Sequence, residues 1–389
     1  MNKLIITMIS VLFINSIMSS TVFGEDAPAP PTISSEAAII LEADSGQILF
    51  DKNADVPMYP ASLTKIATAI YAIETGNLDD IVTVSSKARE VDGTRVYLED
   101  GEKVTLKKLL QGLLINSGND AGVAIAEHLS GSVEQFADDI NKYLKNVIGI
   151  ENTNFENPHG LFDPNHVTTA EDLAKITQYA MHNEVFREIF GTQELEWQGE
   201  SWDTTLYSHH KIVKGEIPYE EVTGGKNGYV DQSGFTLATT AENNQLDLIV
   251  VTLKSSSEAI AYQDTVSLLD FGFNHFVTSS IAEGKTFDVD GVEFMTKDTL
   301  FYTYPKSGQV HTEVNKDGVL EVMAQDGTVL ASYELDSTEV AAAAEVKKST
   351  ASEESNPSVF DGLSDHLLFV LAALAFGIVI LFYRQTRKV

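Results

Sequence analysis

The apolar positions change period along the chain, and the changes divide it. Ala38-Ile39-Ile40-Leu41 and Gln47-Ile48-Leu49-Phe50 flank Asp44-Ser45-Gly46, which reads as a strand, a turn and a returning strand. From Ala61 the period becomes helical: Leu63, Ile66, Ala67, Ile70 and Ile73 recur at three- and four-residue steps. Pro60 stands just before, where a helix has no use for an N–H. Leu109, Leu110, Leu113 and Leu114 make a second stripe, and residues 119–129 read as a small-residue, buried helix. Ser132-Val133-Glu134-Gln135 has the form of a capping box opening a helix that turns Phe136, Ile140, Tyr143, Leu144 and Val147 inward; Thr168-Thr169-Ala170-Glu171 has the same form. Residues 228–240 and 246–253 read as two strands joined as a hairpin through 241–245, and 268–276 closes this region as a helix. After about Val277, short β-like runs such as 289–294, 300–302 and 320–322 alternate with Gly/Asp turns, the pattern of a small all-β domain. No internal repeat is visible.

The two ends follow other rules. Met1-Asn2-Lys3 leads into an apolar run over 4–18 and then small and polar residues to Gly24, the pattern of a secretory signal peptide with Val22 and Gly24 at the −3 and −1 positions. A second apolar run, 367–383, carries no charge; about 17 residues is the short end of a bilayer span. Arg384, Arg387 and Lys388 follow, so the positive-inside rule puts the C-terminus in the cytoplasm and the body outside. An interfacial helix would need a polar face, and this run has none. Between body and span, 338–364 is Ala, Glu, Lys and Ser with little pattern, a flexible stalk. The expected organisation is a signal peptide over 1–24, a main domain over 34–276, a small β-rich domain over 277–337, a stalk over 338–364, a transmembrane anchor over 365–384 and a cytoplasmic tail over 385–389.

Composition then excludes classes. With 43% apolar residues in 389 the chain can fill a sizeable core. A formal net charge of −31 with no basic stripe argues against nucleic acid. The absence of cysteine removes disulfides, thiolate metal sites and a cysteine nucleophile.

Three short motifs can carry chemistry. Ser62-Leu63-Thr64-Lys65 puts a hydroxyl at a helix opening and an amine one turn on, on the same face. A serine hydroxyl needs an adjacent base to become a nucleophile, and a lysine serves if burial or nearby positive charge lowers its pKa. Taken alone, this motif reads as readily as a helix cap followed by a surface lysine. Ser117-Gly118-Asn119 falls between two helices, where it is either a plain connector or a hydroxyl and an amide aimed at the lysine. Lys226-Asn227-Gly228, preceded by Gly224-Gly225 and running into a strand, offers an ammonium for a carboxylate and glycines that let a ligand backbone approach; the plain reading is a glycine-rich turn with a solvated lysine.

In this order and spacing the three resemble the S-x-x-K, S-x-N and K-T-G signatures of the penicillin-recognising serine enzymes. With 59–65, 114–121, Asn157-Pro158-His159-Gly160-Leu161 and 224–229 included, the chain resembles the low-molecular-weight D-alanyl-D-alanine carboxypeptidases (serine peptidase family S11) over about 34–276. The resemblance implies a β-lactamase/transpeptidase-like α/β fold, with an antiparallel sheet flanked by helices and a helical subdomain carrying Ser117, followed by the small all-β domain and a C-terminal transmembrane helix. It implies that Ser62 attacks the carbonyl of the penultimate D-alanine, Lys65 takes its proton, Ser117 and Asn119 relay it, Lys226 and Asn227 hold the terminal carboxylate, and the backbone N–H groups of Ser62 and Tyr229, next to Gly228, form an oxyanion hole. It also implies peptidoglycan pentapeptide stems as substrate, β-lactam antibiotics as covalent inhibitors, a single-pass membrane location with the body extracytoplasmic, no cofactor, no metal and no nucleic acid. Two departures stand out: Asn227 replaces the family's usual threonine, and residues 255–264 lack the arginine that often follows the strand hairpin. The alternatives are a D,D-endopeptidase, a catalytically silent wall-binding protein, and a β-lactamase, which would need an added acidic base in a Glu-x-x-Leu-Asn stretch that is missing.

The histidines do not make a zinc peptidase: His159, Asp163 and His166 lie in a Pro/Gly loop without His-Glu-x-x-His spacing. The 157–160 turn reads as a structural loop near the site, His209-His210 as exposed, and Trp197 and Trp202 as packing residues before sugar stackers.

Overall fold

The computed structural model describes residues 29–337. The leader, the stalk, the 367–383 span and the tail expected from the sequence lie outside them. Among the described residues no helix is long and apolar enough to cross a membrane.

In chain order the elements are β1 (Ala37–Glu42), β2 (Ile48–Lys52), a 3-10 turn (Ala61–Leu63), α1 (Thr64–Thr75), β3 (Ile81–Thr83), α2 (Ser86–Glu90), β4 (Lys103–Thr105), α3 (Leu106–Leu114), α4 (Asn119–Ser130), α5 (Val133–Tyr143), a π turn (Leu144–Ile148), α6 (Ala170–Met181), α7 (Glu184–Phe190), β5 (Glu194–Gln198), β6 (Asp203–Tyr207), β7 (Val222–Val230), β8 (Gly234–Asn243), β9 (Leu246–Ser255) and α8 (Glu258–His275). Eight β strands follow: β10 (Phe276–Ile281), β11 (Thr286–Val289), β12 (Val292–Met295), β13 (Leu300–Pro305), β14 (Val310–Val314), β15 (Val319–Ala324), β16 (Val329–Glu334) and β17 (Asp336–Ser337). The described residues form two compact units: one holds 29–281 with Leu300–Glu313 and Glu321–Ser332, the other Ala282–Thr299, Val314–Leu320 and 333–337.

The first unit is built on a five-stranded antiparallel sheet in the order β2-β1-β9-β8-β7. Its central strands are buried on both faces, which is why β1 reads as an unbroken apolar run rather than an alternating one. Ile39 and Leu41 point into a cluster with α1, α3, α4, α5 and α6, whereas Ala38 and Ile40 face Leu268 and Leu269 of α8. β7 is one of the two edge strands, opposite β2, so one side of its backbone is free for other use.

Several local expectations shift. The run 228–240 is not one strand. Asp231-Gln232-Ser233 turns the chain, with Gly234 at φ 60° and the Ser233 N–H donating to the Val230 carbonyl (3.0 Å), so β7 and β8 pair across it. Lys226 therefore sits inside β7, not at a strand start. Ser132 caps α5 as expected, accepting from Gln135 N–H (3.1 Å), but α6 is capped one residue later than read, by Thr169 accepting from Asp172 N–H (3.0 Å). Val147, expected inward, is 52% exposed, because the π turn after Tyr143 rotates the facing of α5's tail. α8 begins ten residues before the expected 268. Its Gln263-Asp264 interrupts the apolar pattern, but Asp264 is buried and accepts from Ser34 N–H (3.0 Å) and from the N–H and hydroxyl of Ser35 (both 2.6 Å).

Candidate active site

Ser62 lies in the 3-10 turn, and Lys65 in the first turn of α1. The plain reading of a surface lysine fails: Lys65 is fully buried. Its Nζ donates to Asn119 Oδ1 (2.7 Å) and to the His159 carbonyl (2.7 Å), and its third position faces Ser62 Oγ at 3.0 Å. An amine with two N–H bonds engaged and its remaining position aimed at a hydroxyl accepts a proton from that hydroxyl when neutral. Burial, and then the nearby charge of Lys226, push the Lys65 pKa well below the ordinary lysine value, with Asp120 a weaker opposing influence.

Ser117, at the turn between α3 and α4, donates its hydroxyl to Ser62 Oγ at 3.2 Å. It holds a left-handed backbone at φ 61°, and strain of that kind persists where the surroundings over-determine it. Here they do: Gly118 N–H donates to the Gly112 carbonyl (3.0 Å) and Asn119 N–H to the Thr94 carbonyl (2.7 Å). The other end of the Asn119 amide donates to the Asp92 carbonyl (2.7 Å), which fixes its oxygen toward Lys65.

β7 closes the opposite wall. Lys226 is buried, and desolvation pushes its pKa down to about 7; its Nζ donates to the Asn227 carbonyl (3.0 Å). On an antiparallel edge strand the N–H and C=O of one residue point to the same side, and sides alternate. With the Asn227 carbonyl turned off the sheet, the Tyr229 N–H lies along the same free edge. Gly228 between them lets that edge meet the serine: a Cβ at Gly228 would stand 2.7 Å from Ser62 N, 2.7 Å from Thr236 Oγ1 and 3.0 Å from Ala61 Cβ. Thr236 ties β8 to the same turn by donating to the Pro60 carbonyl (3.1 Å). The Tyr229 ring itself is exposed, with its hydroxyl donating to Asp231 (2.9 Å). Asn227 Oδ1 is buried without a partner, and its residue borders a groove of about 440 Å³ lined also by Asn116, Tyr207, His209 and Lys211.

Supporting residues were not legible as such. The 157–160 turn is indeed a structural loop beside the site. Gly160, at φ 87°, packs so tightly on the nucleophile turn that a Cβ would stand 1.8 Å from the Ala61 carbonyl oxygen. Ala61 takes φ 48°, and its carbonyl accepts from Thr64 Oγ1 (2.8 Å). Because His166 Nδ1 accepts from Glu156 N–H (2.9 Å), its Nε2 carries the proton and donates to Thr64 Oγ1 (2.8 Å). His166 is therefore engaged at both nitrogens, and burial pushes its pKa down to about 3. His210, expected exposed, is buried beneath Gly225 with Nε2 at 2.9 Å from Thr239 Oγ1, while His209 is exposed as read. Trp197 is a packing residue, buried under Lys108.

A serine whose hydroxyl faces a desolvated lysine, placed against the free edge of an antiparallel sheet, is the arrangement of a serine acyl-transfer enzyme. The chain belongs to the D-alanyl-D-alanine carboxypeptidase family of serine peptidases (S11), whose model matches residues 24–257. It is 31% identical over 287 residues to D-alanyl-D-alanine carboxypeptidase DacF of Bacillus subtilis (strain 168), covering 72% of each chain. It is 29% identical over 371 residues to DacA of Haemophilus influenzae, covering 86% of this chain and 91% of that one. The fold is similar to penicillin binding protein 5 from Haemophilus influenzae, with a TM-score of 0.71 at 27% identity over 80% of this chain and 98% of the other.

Proposed function

We propose that the chain is a serine D-alanyl-D-alanine carboxypeptidase that removes the terminal D-alanine from peptidoglycan stem peptides through an acyl-enzyme on Ser62. The observation that carries this reading is the Lys65 amine, fully buried, tied by two acceptors and aimed at Ser62 Oγ at 3.0 Å. Neutral Lys65 takes the Ser62 proton as Oγ bonds to the carbonyl carbon of the penultimate D-alanine. The oxygen that becomes negative is received by the N–H groups of Ser62 and Tyr229. The C–N bond then breaks, and the leaving amine takes a proton by way of Ser117 Oγ, 3.2 Å from Ser62 Oγ. Water hydrolyses the ester and Ser62 regains its proton. Lys226, charged below about pH 7, holds the terminal carboxylate with the Asn227 side chain, whose amide supplies the donor that threonine supplies in most of the family.

β-Lactams would acylate the same serine. The leader pattern at 1–24 and the apolar run at 367–383 followed by Arg384 support an extracytoplasmic body, read as a catalytic domain over 34–276 and a β-rich domain over 277–337, on a membrane anchor. The test is incubation with a labelled penicillin, peptide mapping by mass spectrometry, and release of D-alanine from a pentapeptide. The expected result is a long-lived adduct on Ser62 and free D-alanine, both lost in Ser62→Ala. An adduct elsewhere, or none, overturns the reading.

A further inference from the structure

One exposed aromatic group, on the segment that is hydrogen-bonded to the 116–119 turn, is held out by the backbone. Val96 and Leu98 are buried, yet Tyr97 between them is 54% exposed and sits at φ 58°. A bulky residue in the left-handed region is a true outlier, and such strain is kept only where neighbours enforce it. Asp120 enforces it: its buried carboxylate accepts the Val96 N–H in both oxygens (3.0 and 3.1 Å) and the Leu98 N–H (3.1 Å). Trp202 meets the Tyr97 ring edge-on, with centroids 4.9 Å apart, and the Arg95 guanidinium lies 5.6 Å from its centroid, anchored on the Arg89 carbonyl (3.1 Å). Nothing in the reaction chemistry uses this ring.

Its position is tied to the catalytic loop. The same segment supplies the Thr94 carbonyl to Asn119 N–H (2.7 Å) and the Arg95 carbonyl to the Asn116 side chain (2.9 Å), and residue 117 faces the nucleophile. Asn116 also borders the groove that holds Asn227, so a stem peptide leaving Ser62 along that groove comes to the segment that carries Tyr97. The geometry points to Tyr97, supported by Trp202 and Arg95, as a stacking platform for an amino-sugar ring of the glycan strand that bears the stem peptide; this rests on the carboxypeptidase reading above. A single ring with a polar rim suits a pyranose, which has a C–H face and a hydroxyl edge; a protein partner would need a far wider apolar patch. Arg95 adds a cation where carboxylates of the muramyl peptide would pass.

The test compares a disaccharide-pentapeptide with the bare pentapeptide as substrates of the purified chain, its Tyr97→Gly and Tyr97→Phe variants, with benzylpenicillin acylation of Ser62 as the reference. Glycine adopts φ 58° without strain, so Tyr97→Gly removes the ring and leaves the loop. The wild type is expected to prefer the sugar-bearing substrate in kcat/KM by roughly five- to tenfold, the range of one aromatic contact. Tyr97→Gly should lose that preference while keeping the bare-peptide and penicillin rates, and Tyr97→Phe should retain it. A wild type that cleaves both substrates equally, or a Tyr97→Gly variant that keeps the preference, overturns the platform alone. A wild type that cleaves neither and is not acylated overturns the carboxypeptidase reading and the platform with it.

Discussion

Gly228→Ala isolates the closeness of β7 to the nucleophile. Elsewhere, replacing glycine by alanine at a compatible backbone stabilises a protein by about 0.4–1 kcal/mol, by restricting the unfolded chain. Gly228 is extended, paired with Thr236, and does not need a positive φ. The added methyl, however, meets Ser62 N and Thr236 Oγ1 at 2.7 Å and Ala61 Cβ at 3.0 Å, and two of these three are parts of the turn that carries the nucleophile. Normal contact requires roughly another 0.7–1 Å, given carbon–carbon optima of about 3.5–4.0 Å. Overpacking of this kind costs about 1–3 kcal/mol, so after the unfolded-state gain the net loss of stability is about 0–2.5 kcal/mol, which leaves a domain of ordinary stability folded. Catalysis should suffer more than stability. Oxyanion donors work at 2.7–3.1 Å, and losing one costs about 10²–10³ in rate; a β7 edge pushed away by the better part of an ångström takes the Tyr229 N–H out of that range. The expected outcome is a folded protein whose benzylpenicillin acylation, followed by stopped-flow or by mass shift, is slowed about 10²-fold. A Gly228→Ala variant acylating within threefold of the wild type would show that the strand is not pressed against Ser62 and that the oxyanion site lies elsewhere.

Lys65→Ala should slow acylation by about 10²–10⁴, the usual worth of a general base, with the melting transition still cooperative; unchanged acylation would remove Lys65 from that role. The kcat/KM for a carboxylate substrate should fall as pH rises past about 7, where free Lys226 loses its proton, and Lys226→Gln should flatten that limb while lowering kcat/KM at pH 6 about 10–100-fold; an unaltered limb in the variant assigns it to another group. His210, pushed down to about 3 by burial and the Lys226 charge, is neutral when folded, so the unfolded chain binds the extra proton below its pKa of about 6.5. Its contribution is whole above that pH and is lost as pH falls toward 3. Chemical denaturation should therefore show the wild type losing about 1.4 kcal/mol more per pH unit than His210→Gln over that window, and parallel curves would contradict a buried neutral imidazole.

What the sequence disclosed follows a physical divide. The groups to which the proposed mechanism assigns the reaction were legible because each must be one residue type at a fixed helical or strand spacing: Ser62 and Lys65 one turn apart, Ser117 and Asn119 flanking a helix start, Lys226 beside small glycines. Their supports were not, because a buried hydrogen bond leaves no periodic trace. Thr64 and His166 are 102 residues apart in sequence, and Asp120 reads as one more helix-start acid until it is seen holding Val96 and Leu98. The edge of β7 was misplaced because Asp231-Gln232-Ser233 interrupts a run that otherwise looks continuous. His210 was misread because His209-His210 gives no signal for which of two adjacent rings turns inward.

The electrostatics of the site then follow from the whole. A chain with net charge −31 repels anions in general, yet its centre holds two buried amines, Lys65 and Lys226, with no ion pair between either and any carboxylate among the described residues. The nearest buried acid, Asp120, spends its oxygens on the Val96, Leu98 and Ala121 N–H groups. Burial alone lowers the pKa of Lys226 to about 7, whereas Lys65 is pushed down by its own burial and then by the charge of Lys226. Entry of a carboxylate beside Lys226 favours that lysine's charge, and a charged Lys226 in turn keeps Lys65 neutral and ready to take the proton of Ser62. In the proposed mechanism, recognition of the anionic terminus and activation of the nucleophile are thus coupled through the charge of two amines.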